Sequence, residues 1–352
     1  MELGIISLSD IQTGPSTGTR ATPAQRVEDA ISYATLADRT GLDVFALGEH
    51  HTPEYAVASP AVVLAAIATR TGRIRLASGV TVLSVADPVR VYQDFAQLDL
   101  VSGGRAEIVA GRSAFPEPFA IFGVPISDYD AIFDEKLRLL VQLAAQDRAT
   151  WSGHYRPALR DVPIVPRALQ EPLPIWAGVG GSPGSAERAG RFGLPMVLGF
   201  IGGTFAHARN TIDIYRAAGE EAGHPEKLRV GLSTHFYAGA TPSAALAVHP
   251  YYYEYLRPKT PGGRGWVVDP DSFAAGTRRG QALMVGSVDQ LVEKIVDAHQ
   301  LLGADRFIGQ VDWGGLPRAL VEESITRLAT EIAPQVRAAV GAAGPGPVSS
   351  TA

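Results

Sequence analysis

Two stretches of this chain carry residue types whose spacing could do chemistry. The first is the apolar run Ile175–Val179, followed by Gly180-Gly-Ser-Pro-Gly-Ser185 and then a helical pattern. Gly180 and Gly181 allow a sharp turn, and Ser182-Pro183 is a helix start with a hydroxyl N-cap and proline in the first turn. A strand, turn and helix start of this kind aim free N–H groups and the positive end of a helix at one point, which is what a phosphate monoester needs. Gly178, Gly180, Gly181, Ser182 and Ser185 are therefore candidate cofactor-binding residues. Two rival chemistries fail on the same residue. The dinucleotide fingerprint would need a third glycine where Pro183 stands. The match of Gly180-Gly-Ser-Pro-Gly184 to a serine-hydrolase elbow would need an oxyanion-donating N–H after the serine, and proline has none. A glycine-rich loop that binds nothing is the plain alternative.

The second stretch is Glu49-His50-His51. A histidine here could act as a general base or hold a metal. Consecutive strand side chains point to opposite faces, so His50 and His51 cannot both reach one ligand, and no metal site is expected.

The elements that must position these residues alternate along the chain. Apolar runs of strand length fall at residues 3–8, 43–48, 74–83, 105–111, 175–179, 196–201, 228–238 and 306–311, each followed by helical sequence. Eight such units predict a (β/α)8 TIM barrel, with residues 151–170 as an insertion after strand 4 and residues 241–281 as one after strand 7. The second insertion is long and rich in tyrosine (Tyr251, Tyr252, Tyr253, Tyr255), and a loop of that length could close over a site. Residues 1–340 are expected to form one barrel domain, and the small, polar residues 341–352 a disordered tail. In a barrel the strand C-terminal ends share one mouth, which collects His50, Ser78, Gly79, Arg112, the Gly180 turn, Phe200, His235 and Asp312.

With 352 residues and 46% hydrophobic content, the chain can bury a large core. Its net charge of -5 makes nucleic acid a poor partner. There is no cysteine, so disulfides and thiolate chemistry are excluded. The apolar runs fall short of a membrane span and the first residues lack a basic leader pattern, so a cytoplasmic protein is expected.

Several motifs in order resemble the bacterial luciferase-like flavin-dependent monooxygenases: Leu47-Gly-Glu-His-His51, Val82-Leu-Ser-Val-Ala-Asp-Pro-Val-Arg90, Ser102-Gly-Gly-Arg105, Ala110-Gly-Arg112, Arg191-Phe-Gly-Leu-Pro-Met196 and Val285-Gly-Ser-Val288. The resemblance runs over nearly the whole chain. It implies a barrel that binds reduced FMN at the strand C-terminal ends and uses O2 to oxygenate a small organic substrate. It places Arg112, Ser182 and Ser185 on the flavin phosphate, Ser78-Gly79 at a non-proline cis peptide under the flavin ring, and His50 in the role of active-site base or hydrogen-bond partner. Phe45 and Trp176 are expected to keep the site dry, and Arg278 and Arg279 to contact substrate or phosphate. No nicotinamide fingerprint is visible, so a separate NAD(P)H-dependent flavin reductase is implied, as is a homodimer with the helix at 59–71 as a candidate contact.

The chain departs from the light-emitting members, which have a cysteine near the flavin and an acidic residue before the matched serine. Gly111 and Gly181 stand here, so bioluminescence and a long-chain aldehyde substrate are not carried over. Relatives on the same barrel use deazaflavin F420 for hydride exchange. Arg156, Arg160 and Arg167 could form a basic patch for its acidic tail and keep that alternative open, as does a flavin-binding paralogue without catalysis.

Overall fold

Eight parallel strands close on themselves, each followed by a helix packed against the outside. The computed structural model describes residues 1–113, 115–259 and 265–342. The strands are β1 (Glu2–Ser7), β2 (Val44–Leu47), β3 (Arg75–Ser78), β4 (Ala106–Gly111), β5 (Ile175–Val179), β6 (Met196–Gly199), β7 (Val230–Ala238) and β8 (Arg306–Gln310). Each pairs in parallel with the next, and β8 pairs back onto β1, Glu2 beside Arg306 and Ile6 beside Gln310. The helices are α1 (Pro23–Thr40), α2 (Pro60–Ala68), α3 (Pro88–Ser102), α4 (Tyr129–Ala145), α5 (Pro183–Arg191), α6 (Phe205–Glu221), α7 (Val288–Leu302) and α8 (Arg318–Arg327). After α8 a π-helical turn at Leu328–Ile332 leads into a final helix, Ala333–Ala342. The expected tail therefore begins inside this helix, and residues 343–352 lie outside the described part.

Local sequence explains the helix ends. Thr22 and Gln25 form a capping box at the start of α1, which stops at Gly41, whose φ of 90° suits glycine. Asp87 caps α3 by accepting from the N–H groups of Val89 and Arg90.

Strand alternation sorts the core into two parts. Outward residues such as Leu3, Ile5, Phe45 and Leu76 join the helices in one large apolar cluster. Inward residues form a second: Ile6, Ala46, Ala77, Val109, Val197 and Ile308 pack inside the barrel. Below them, at the strand N-terminal ends, Arg306 is bonded to Glu2 (2.8 Å) and Glu107 (2.5 Å), and Arg75 also bonds Glu107. A charged plug of this kind is tolerated because each ion has a partner.

Above them, toward the mouth, the next inward positions are Gly48, Gly79, Gly111, Gly178 and Gly199, each two residues beyond an inward core residue. The run expected as one strand at 74–83 is broken: β3 ends at Ser78, the Gly79–Val80 peptide is cis, and Thr81–Val82 resumes pairing with β4. Val80 turns into the space left at Gly111 and Gly178, where an added Cβ would come within 2.4 Å and 2.8 Å of its methyl groups.

Both insertions carry regular structure in their described parts. The first is an antiparallel hairpin, Arg148–Trp151 with Leu159–Pro163, set between α4 and β5 on the outer wall. The carboxylate of Glu135 on α4 accepts from the N–H groups of His154, Tyr155 and Arg156 and fixes its tip. The second is not an open loop in its described parts. It contains the helices Pro242–Leu246, His249–Leu256 and Pro270–Gly276, with Tyr252 packed on Phe273 and Trp313. Among the described residues no helix is long and apolar enough to cross a membrane.

Candidate active site

The turn after β5 and the end of β4 meet at the mouth. Ser182 sits at the N-cap of α5, and its carbonyl accepts from the N–H groups of Ser185 and Ala186. Its hydroxyl does not cap the helix. It faces Ser185 Oγ at 2.6 Å, and both hydroxyls accept from Arg112 Nη2, Ser182 at 3.3 Å. Gly181 adopts φ of 91°, and a Cβ at Gly180 or Gly181 would meet no atom within 4 Å, so the turn leaves open space beside these groups. Arg112 lies over the Tyr129 ring and its Nη1 donates to Asp130. One guanidinium, two hydroxyls and a helix N-terminus converge here, with the chemistry of an anion cradle.

His50 stands two strands away around the rim. Its ring stacks on Tyr55, centroids 3.9 Å apart, and meets Phe115 edge-on at 5.6 Å. Burial, with a smaller push from His51, lowers its pKa to about 4, so the imidazole is neutral at pH 7. Its Nδ1 is buried without a hydrogen-bond partner. His51 turns elsewhere, to Glu49 at 2.9 Å, whose other oxygen accepts from the Val82 N–H. Among the described residues no group of three or more His, Cys, Asp or Glu could hold a metal ion.

The β1 and β8 ends supply a buried charge cluster. Arg26 reaches Asp312 at 2.6 Å and Asp10 at 3.6 Å, and Ser7 Oγ donates to Asp312. Burial raises Asp10 to about 7, reinforced by Asp312 and opposed by Arg26. On the adjoining strand β7, His235 stands beside Gln310, bonds Tyr252 at 3.0 Å and is pushed down to about 4 by burial. Tyr255 accepts from Gln310.

Arg112, Ser182 and Ser185, singled out from sequence, thus stand together, with Gly180 and Gly181 in the turn and Gly178 and Gly79 in the floor. Other expectations need correction. Ser78 faces away from the mouth: it is fully buried and its hydroxyl accepts from the Val109 N–H. The cis bond lies one residue further on than expected. Phe45 belongs to the outer core, and Trp176 stacks on Arg306 (4.2 Å) at the closed end of the barrel, so neither lines the mouth. Arg279 is paired with Asp297. Two of the three arginines of the first insertion are engaged elsewhere: Arg156 pairs with Asp87, while Arg167 binds the last carbonyls of α4. Asp10, Arg26, Tyr55, Asp130 and Arg188 went unrecognised in the sequence, where each reads as an ordinary helix or loop residue.

Between the Gly180–Gly181 turn and the end of β6 lies a cleft of about 400 Å³, lined by Phe200, Ile201, His207 and Trp266. Ile201, Trp266 and Val267 leave an exposed apolar edge at its entrance.

A parallel (β/α)8 barrel with its polar constellation at the C-terminal mouth defines the class of scaffold. Within that class, the chain belongs to the luciferase-like monooxygenase family, whose model matches residues 1–306. It is 33% identical to protein y4wF of Sinorhizobium fredii (strain NBRC 101917 / NGR234) over 43% of the chain and 44% of that protein. It is 30% identical to the N-acetyl-S-alkylcysteine monooxygenase of Bacillus subtilis (strain 168) over 58% of the chain and 61% of that enzyme. The chain therefore spans less than two thirds of these two relatives. It is 22% identical to the oxygenase component of the flavin-dependent trigonelline monooxygenase of Acinetobacter baylyi (strain ATCC 33305 / BD413 / ADP1), over 89% of the chain and 91% of that protein.

Among solved structures, monooxygenase RslO1 from Streptomyces bottropensis superposes with a TM-score of 0.79 at 25% identity, covering 95% of this chain and 99% of that one. The fold is shared with the oxygenating constituent of 3,6-diketocamphane monooxygenase from Pseudomonas putida in complex with FMN (TM-score 0.75, 20% identity, covering 96% and 99%). It is shared equally with an F420-dependent secondary alcohol dehydrogenase (TM-score 0.71, 18% identity, covering 96% and 99%).

Proposed function

We propose that this chain is the FMN-dependent oxygenase of a two-component system acting on a small organic substrate. The observation that carries this is the cradle of Arg112, Ser182 and Ser185 at the N-terminus of α5, which suits a phosphate monoester. The buried, unpartnered Nδ1 of His50 and the glycine floor between it and the cradle suit a flat ring laid from β5 toward β2. When bound, reduced FMN supplies the electrons that activate O2 for transfer of one oxygen atom. The chain's own residues bind, orient and protect. Arg112 and the two hydroxyls hold the phosphate. Val80, over Gly111 and Gly178, supports the ring. Neutral His50 can accept a proton at Nδ1, and Tyr55 and Phe115 keep water from it. Substrate enters past the apolar edge of Ile201, Trp266 and Val267.

The partner in this reading is a separate NAD(P)H-dependent flavin reductase, supported by the Acinetobacter relative being an oxygenase component. FMN is favoured over F420 because two of the three arginines that could have held an acidic tail, Arg156 and Arg167, are tied down elsewhere. The exposed side of α2, with Val62 69% exposed, suits contact with a second copy in a cytoplasmic homodimer. The test is titration of the protein with FMN and with riboflavin, followed by fluorescence. FMN should bind at least about 10-fold more tightly, and Arg112→Met should abolish the difference, since hydrogen bonds to charged groups are worth about 1.5–3 kcal/mol. Equal affinities in the unaltered protein would remove the phosphate assignment. In reactions with a reductase, His50→Ala should release more H2O2 per NADH consumed.

A further inference from the structure

We infer that Asp130 is an internal counter-anion of the cradle and Arg188 its second cation, the carboxylate giving up both arginines when a phosphate monoester binds. This rests on the phosphate reading of Arg112, Ser182 and Ser185. Asp130 lies in the first turn of α4, facing the start of α5. A single oxygen, Oδ1, accepts from Arg112 Nη1 and from Arg188 Nη2, the latter at 3.1 Å. The other terminal nitrogen of Arg112 serves Ser182 and Ser185. One anionic oxygen therefore already occupies the focus of two guanidinium groups beside both hydroxyls.

Arg188 is not satisfied by this arrangement. Its side chain is only 12% exposed, yet Nε and Nη1 are buried and make no hydrogen bond. The other acid within reach, Asp134, stands 3.4 Å from Nε and is shared with Arg138 and Arg191. A guanidinium has five N–H donors in a fixed fork, so this one keeps donors to spare for further acceptor oxygens. A phosphate offers several. Asp130, by contrast, is free to leave: its side chain is 53% exposed and can turn into water. Burial would raise its pKa, but Arg112 and Arg188 outweigh that and hold it below the usual range, so it is an anion at neutral pH.

Two positive charges with one mobile carboxylate make a site that trades anions. Phosphate must displace Asp130 to gain both arginines, which weakens binding. On release, Asp130 returns, so the arginines are never left together without a counter-charge. A reduced flavin that must arrive from a reductase and leave after oxidation needs this kind of exchange.

The experiment is titration of the full chain with FMN, riboflavin and inorganic phosphate in three forms: unaltered, Asp130→Asn and Arg188→Gln. Asp130→Asn should bind FMN and phosphate about 3- to 5-fold more tightly, the size of an exposed ion pair, with riboflavin unchanged. Arg188→Gln should bind FMN about 10-fold more weakly or worse, again with riboflavin unchanged, and Arg188→Lys should recover part of the loss. Riboflavin affinity reports on folding of the mouth. Should Arg188→Gln fail to fold, Asp130→Asn alone decides. If Asp130→Asn weakens FMN, the carboxylate merely positions the arginines and the inference falls. If the unaltered protein prefers FMN to riboflavin and neither substitution changes that preference, the inference falls while the phosphate reading stands. If the unaltered protein shows no preference, both fall.

Discussion

The floor of the mouth makes a quantitative claim. At Gly178 an added Cβ would lie 2.8 Å from Val80 Cγ1, with Ala110 O at 3.3 Å and Gly111 Cα at 3.6 Å beyond it. The first distance is too short, while the other two need only small shifts. Gly178→Ala should therefore cost what overpacking a rigid core costs, about 1–3 kcal/mol, through one side chain. Val80→Ala removes that side chain's two methyl groups. Because Val80 is only half-buried, its own cost should be about 1 kcal/mol. In the double variant the alanine at 178 occupies the space Cγ1 has left, so the two losses should not add. A double-mutant cycle by urea unfolding, followed by circular dichroism, should show a favourable coupling of about 1–3 kcal/mol. Flavin titration on the same proteins should follow suit, weakened by Gly178→Ala and recovered in the double variant. Additivity within about 0.5 kcal/mol would refute the argument that Gly178 is glycine to make room for Val80.

Three further outcomes follow from other parts of the molecule. Glu107→Gln leaves Arg306 buried with only Glu2 as a full counter-charge, and should lower unfolding free energy in urea by about 3–5 kcal/mol; a loss under about 1 kcal/mol would mean the plug is dispensable. His50 and His235 have lowered pKa values, so their stabilisation is present above the unfolded value near 6.5 and lost as pH falls toward about 4, whereas Asp10, raised to about 7, loses stabilisation as pH rises over about 4–7. In pH-dependent urea melts the two histidines should make stability fall on acidification while Asp10 opposes them, so Asp10→Asn should steepen the fall between about pH 5 and 6, and an unchanged slope would refute its part. Val62→Arg should convert the proposed dimer to monomer by size-exclusion chromatography with light scattering, and an unchanged mass would rule out α2 as the contact.

What the sequence disclosed and what it hid divide along a physical line. The barrel was legible because each strand and helix is written locally, in short apolar runs and helical periodicities that alternate along the chain. The Gly180 turn was legible for the same reason, since Ser182 and Ser185 lie three residues apart on one helical turn. Ser78 and Phe45 were misplaced because a strand's facing depends on parity: Ala46 and Ala77 face into the barrel, so the residues next to them face out. Trp176 faces inward as expected, but which end of the barrel its ring occupies is decided by Arg306, 130 positions away.

Asp130 and Arg188 were the least visible. Each has an unremarkable neighbourhood in the chain, and Asp130 in the first turn of α4 reads as an ordinary dipole-matching acid. Their meaning comes from meeting across 58 positions at one oxygen, beside an Arg112 that reaches Ser185 across 73. Anion sites at barrel mouths are made of such crossings, because the strand ends that meet there belong to units folded separately along the chain. A charge that looks solvated in its own helix can therefore be the group that governs exchange at the site, and the substitutions at 130 and 188 separate those two roles.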